Sequence, residues 1–106
     1  MQSKQLVTAC IESWVVCENA MVVLPKIDDE RVSKLIRAFN EFADICMGLL
    51  VALKMKSVNT GKLALLYVGL AEECADLCSS FTLPSLRIGA ETFRKSVAVI
   101  SPLATL

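Results

Sequence analysis

Apolar residues recur along this chain at steps of three and four, the spacing that puts side chains on one face of an α-helix. The first such stretch predicts a helix from about Ser3 to Leu24, with Val7, Cys10, Trp14, Cys17, Met21 and Leu24 on its buried face. Pro25 stops it, since proline removes an amide donor and clashes with the preceding turn. A second helix is expected from near Asp28 to near Ser57. Asp28 would cap it, and Asp29 and Glu30 suit its positive end. Its buried face is Val32, Leu35, Phe39, Phe42, Cys46, Leu49 and Leu53, with Lys34, Arg37, Glu41 and Asp44 outside.

The third helix is expected to start near Asn59 or Thr60, with Ala64, Tyr67, Ala71, Cys74, Cys78 and Phe81 inside. Leu63, Leu66, Leu70 and Leu77 widen that face, so this helix should be central or covered in an oligomer. The fourth starts near Thr82, tolerates Pro84 in its first turn and ends at Pro102. Its inner face is Leu86, Ala90, Phe93, Val97 and Ile100. Sustained period-two alternation is absent, which argues against strands. Short connections between long amphipathic helices give an all-α, antiparallel up-down-up-down four-helix bundle, a single domain over residues 1–106.

Composition narrows the function. Fifty-five per cent of residues are hydrophobic and mean hydropathy is +0.57, which calls for a broad core or a subunit interface. The strongest apolar stretches, Phe42 to Leu53 and Leu63 to Ala71, fall short of the roughly 20 residues of a membrane span. The N-terminus makes a poor signal peptide, so the cytoplasm is the default location. Eleven basic and eleven acidic residues cancel, which disfavours nucleic-acid binding and permits homo-oligomers. Histidine is absent, which removes the usual general base and the commonest transition-metal ligand. No nucleophile–base set or phosphate loop emerges, so an enzyme is not expected.

Five cysteines remain: Cys10, Cys17, Cys46, Cys74 and Cys78. An odd number cannot form a fully paired intrachain disulfide framework. Cys74 and Cys78 are one turn apart and can both point inward, and Cys46 could add a third sulfur if its level matches. Cys10 and Cys17 lie about 10 Å apart along one helix at 1.5 Å rise per residue, so each needs sulfur from another helix. Thiolates suit Cu(I), zinc or iron–sulfur units, but a buried cysteine is also an ordinary small hydrophobe. Met21, Met47 and Met55 could add thioether sulfur. Trp14, Phe39, Phe42, Tyr67 and Phe93 could line a cavity for an apolar ligand or simply fill the core, in which case the Tyr67 hydroxyl needs a polar partner. Glu72, Glu73 and Asp76 read as the solvated face of the third helix.

All four helices share a local pattern of steps of four, three and four: Cys10-Trp14-Cys17-Met21, Leu35-Phe39-Phe42-Cys46, Tyr67-Ala71-Cys74-Cys78 and Leu86-Ala90-Phe93-Val97. This register, with the stretches FADICMGLL, LAEECADLCSSF and ACIESWVVC, resembles the cysteine-rich four-helix-bundle copper-binding family of bacteria, also treated as a ferredoxin-like uncharacterised family. The resemblance covers about Val7 to Ile100. It implies a bundle whose interior can hold Cu(I), with the five cysteines at family cysteine positions. Trp14, Met21, Leu35, Phe39, Phe42, Tyr67 and Ala71 stand where further cysteines would strengthen the match, the fourth helix has none, and the family's histidines are missing. The sequence therefore reads as a degenerate member. The expected function is a non-enzymatic bundle acting by self-assembly or small-partner binding, with mostly structural cysteines and no cofactor. Thiolate-based Cu(I) binding or storage, or an apolar ligand between helices, is the alternative.

Overall fold

A computed structural model describes residues 3–104; residues 1–2 and 105–106, part of the expected 1–106 unit, lie outside the described residues. Helices α1 (Ser3–Val23), α2 (Val32–Met55), α3 (Thr60–Ser79) and α4 (Pro84–Ile100) follow one another, with short 3-10 turns at Leu24–Lys26 and Ser101–Leu103. Among the described residues there is no strand. Each helix packs on its two neighbours around a ring in the order α1, α2, α3, α4, so α1 is diagonal to α3 and α2 to α4. The result is an up-down-up-down bundle measuring 42 × 22 × 19 Å.

The inner faces of α2 and α3 match the sequence pattern closely. Val32, Leu35, Phe39, Phe42, Cys46 and Leu49 are buried, as are Ala64, Tyr67, Ala71, Cys74, Cys78 and Phe81. In α1 the face is turned. Leu6, Ala9, Cys10, Ser13, Cys17, Ala20 and Leu24 are buried, whereas Val7, Trp14 and Met21 flank the core half-buried. The small side chains Ala9, Ser13 and Ala20 let this helix sit close to its neighbours, and the bulky ones take the margins. At Gly89 an added Cβ would come within 2.9 Å of Val16 Cγ1, so glycine sets the closest approach of α1 and α4 there. Of the two expectations for α3, central or covered in an oligomer, the first does not hold for its whole apolar face, since Leu65 and Leu66 face solvent in the single chain.

Aromatic rings fill the middle. Phe42 stacks at a tilt on Tyr67, 4.8 Å between centroids, and meets Phe93 edge-on at 5.1 Å, while Phe39 lies 5.5 Å from Phe93. Such tilted pairs add about 0.5–1.5 kcal/mol beyond burial. They tie α2 to α3 and, across the diagonal, to α4. The centre is thus packed rather than hollow.

One helix end departs from the sequence reading. Helix α2 starts at Val32, not near Asp28. Asp29 spends its carboxylate on Arg31, accepting from the Arg31 backbone amide at 2.9 Å and gripping its guanidinium from Nε at 3.0 Å and Nη2 at 2.6 Å. A turn therefore precedes the helix. Arg31 Nη1 also donates to the Ser80 carbonyl at 2.6 Å, and its guanidinium lies 4.3 Å over the Phe81 ring. This one side chain latches the α1–α2 and α3–α4 connections together at one end of the bundle. The Ser3–Lys26 segment is also long and apolar enough, by composition alone, to cross a membrane, contrary to the sequence reading. In the fold it supplies one wall of the shared core.

At its other end α2 closes with Lys56 in the left-handed region, φ 53° and ψ 46°. The Ser57 amide donates to the Ala52 carbonyl at 2.9 Å, the long-range bond of a Schellman cap. Lysine is strained there and glycine is not. Lys56→Gly is therefore expected to raise stability by about 0.5–1 kcal/mol, read as a higher urea midpoint with unchanged slope.

Candidate metal centre

All five cysteines are free thiols and all are buried, Cys10, Cys46, Cys74 and Cys78 completely. Helix order around the ring decides which meet. Helices α1 and α2 run antiparallel, so the level of Cys10 coincides with that of Cys46. The Cys46 thiol donates to the Cys10 carbonyl at 3.3 Å, and the two sulfurs also interact directly. Nearer the Arg31 latch, Cys17 reaches across the diagonal to α3, where Cys78 and Cys74 each share its electrostatic surroundings. Cys10 and Cys17 each thus have sulfur from another helix.

Cys46 lies with Cys10 and Tyr67, and its next thiol neighbour is Cys17. Cys74 is seven residues beyond Tyr67, about 10 Å along α3. Among the described residues no three His, Cys, Asp or Glu side chains converge on a single cage. The interior instead offers pairs of sulfurs on adjoining levels. A pair suits Cu(I), a soft d¹⁰ ion that accepts two thiolates, better than zinc, which takes four ligands.

Burial opposes ionisation of Cys17, Cys46, Cys74 and Cys78. Burial pushes Cys17 up to about 12, helped by the charges of Cys78 and Glu18. Burial likewise pushes Cys78 up to about 12, against the opposing pull of Arg94. Cys74 is raised by burial, then by the charges of Cys17 and Cys78. Cys10 and Cys46 titrate as a unit. Their mutual hydrogen bond brings Cys10 below the ordinary thiol range and drives Cys46 above it, with burial and the Cys10 charge adding to the rise. A dry low-dielectric interior opposes thiolates, but a bound cation reverses that preference.

Beside the upper pair is a group of hydroxyls. The Tyr67 hydroxyl lies 3.1 Å from Ser13 Oγ and 3.5 Å from the Ala9 carbonyl. Hydrogen bonding with Tyr67 favours the Cys46 thiolate, and Ser96 also engages the phenol. Ser96 donates to the Phe93 carbonyl at 2.7 Å. Among the described residues Ser13 and Ser96 are the buried polar side chains of the core, and sequence reasoning passed over both. Ser13 carried a signal, because it lies three residues after Cys10 and four before Cys17, squarely on the cysteine face. The other candidates are not part of this interior. Met47 and Met55 face solvent, Met21 is half-buried, and Glu72, Glu73 and Asp76 lie on the exposed side of α3.

Comparison with known proteins bears on this arrangement. The family model described as Csp, copper storage protein, matches residues 1–102. Among solved structures, the Cu(I)-bound copper storage protein BsCsp3 superposes with a TM-score of 0.89, covering 99% of this chain and 100% of that chain at 20% identity. That identity speaks to the fold. No curated protein matches the chain. The expectation of a degenerate relative is overturned. The match runs through almost the entire sequence, and all five sulfurs line the interior of the shared bundle, so replaced cysteines and missing histidines do not set the chain apart. The chain belongs to the copper storage protein family.

Proposed function

We propose that this non-enzymatic bundle binds Cu(I) through its buried thiolates, with Cys10 and Cys46 forming one locus and Cys17, Cys74 and Cys78 the other. The observation that carries the reading is the burial of all five free thiols, from three different helices, inside one core, with the Cys10 and Cys46 sulfurs paired across two of those helices. Hydrophobic packing alone gives no reason for sulfurs on separate helices to meet at matching levels. Family membership and the likeness to a Cu(I)-bound copper storage protein support the same reading. It replaces self-assembly through merely structural cysteines, and copper takes the place of no ligand. A reducing compartment such as the cytoplasm keeps such thiols available. Self-association is a secondary property: Met47, Val51 and Met55 form an exposed stripe on α2 that a second copy would cover.

Copper binding here is a proton exchange. Each sulfur that takes copper must give up its proton. The raised pKa values of Cys17 and Cys78, about 12, mean these thiols are still protonated at neutral pH.

Two outcomes follow. Anaerobic Cu(I) titration of reduced protein against a calibrated competing chelator, with native mass spectrometry, should show stoichiometric uptake in two separable parts. Cys74→Ser with Cys78→Ser removes one part and Cys10→Ser with Cys46→Ser the other; absence of competitive uptake by folded wild-type protein would overturn the reading. Apparent affinity at a two-thiolate site should rise up to roughly 100-fold per pH unit between about pH 6 and about pH 9, tenfold for each displaced proton. An affinity that stays flat over this range, after correction for the chelator, would mean that these thiols are not the ligands.

A further inference from the structure

The sulfurs are sealed from solvent, and Arg31 closes the bundle end nearest Cys17, Cys74 and Cys78. Copper needs another way in. Helices α1 and α4 approach closely at Val16 and Gly89, and the seam between them continues toward the start of α1. There they leave a groove of about 810 Å³, within the range of small-molecule sites. Lys4 and Lys95 stand at its rim, with Glu12 the single acidic residue among its lining, and Thr8 along its wall. Ala9 and Ser96 form part of its lining, and both are buried. Directly behind them are the Tyr67 hydroxyl, which contacts the Ala9 carbonyl and Ser13, and then Cys10 and Cys46. One layer of small and hydroxyl-bearing side chains separates the groove from the upper thiol pair. A smaller groove of about 280 Å³ lies further along the α1–α4 seam, beyond Val16 and Gly89, and none of the residues that contact the upper thiol pair lines it.

We propose that the α1–α4 groove is the port at which an anionic Cu(I) complex of a small carboxylate-bearing thiol docks to load the Cys10–Cys46 pair. This rests on the copper reading above. The positive rim attracts the carboxylates of the carrier, and the groove's small side chains admit its copper–sulfur centre. Transfer is ligand exchange. The Cys46 sulfur forms a bond to copper as a carrier copper–sulfur bond breaks, and the proton of the Cys46 thiol leaves on the carrier sulfur, which departs as a thiol. Copper remains Cu(I), and no electron moves. Tyr67 acts as a positioning residue, because its hydrogen bond favours the incoming thiolate.

The test is stopped-flow loading of reduced full-length protein from two carriers. One is the Cu(I) complex of glutathione, which bears carboxylates; the other is the Cu(I) complex of 2-mercaptoethanol, which has none. Lys4→Glu combined with Lys95→Glu should slow loading from the glutathione complex about tenfold and from the mercaptoethanol complex by less than about twofold. Thr8→Trp, which fills the groove from an exposed position, should slow loading from both. Final copper content should equal wild type in each variant. Absence of either rate effect overturns the port. A wild-type protein that takes up no copper at equilibrium instead overturns the underlying reading, so the two failures are distinguishable.

Discussion

A sulfur inside a helical bundle is compatible with its hydrocarbon neighbours only while it keeps its proton. That constraint governs this protein. Protonated, the five cysteines pack as small hydrophobes and complete the core. Deprotonated and alone, each would be an uncompensated charge in a low dielectric, as the raised values of Cys17 and Cys78 express. A soft monovalent cation shared between two sulfurs removes the conflict. On the proposed reading, the same residues would serve both the empty and the loaded protein.

The rest of the architecture supports that economy. Phe39, Phe42, Tyr67 and Phe93 fill the middle of the bundle with interlocked rings, so the helices are held apart at a fixed spacing that does not depend on copper. Arg31 ties the two connections at one end. On the α1 side, Ala9, Ser13 and Ala20 keep the helix near the thiols. Tyr67 links the two functions, because its ring belongs to the aromatic layer and its hydroxyl to the polar group beside Cys46.

Much of the fold was legible because hydrophobic periodicity is a local property. Most of the inner faces of α2 and α3 could be read from spacing, though Leu53 is only partly buried and the small Ala38, Ala52 and Ala75 are buried unannounced, and the breaks at Pro25, Asn59 and Pro102 marked real ends. The start of α2 could not be read, since Asp28 and Asp29 both look like caps and only the fold shows Asp29 engaged with Arg31. The rotation of α1 was hidden for a related reason: Trp14 and Met21 score as core by size, whereas Ala9 and Ser13 occupy it by closeness. The thiol groups were legible only as a requirement. Spacing along α1 dictated that Cys10 and Cys17 take separate partners, but choosing Cys46 for one and the α3 cysteines for the other depends on helix order and level, which no single helix encodes. Counting cysteines misjudged kinship, because placement on the shared inner face matters more than number.

The central claim is that copper in this protein is held by sulfur pairs inside the bundle. X-ray absorption at the copper edge, on protein loaded anaerobically and freed of excess metal, addresses it directly. The account predicts Cu(I) with a shell of sulfur alone, two neighbours per ion, and loss of that signal when all five cysteines are replaced by serine. A shell containing nitrogen or oxygen, or a sulfur signal that survives the replacements, would contradict it.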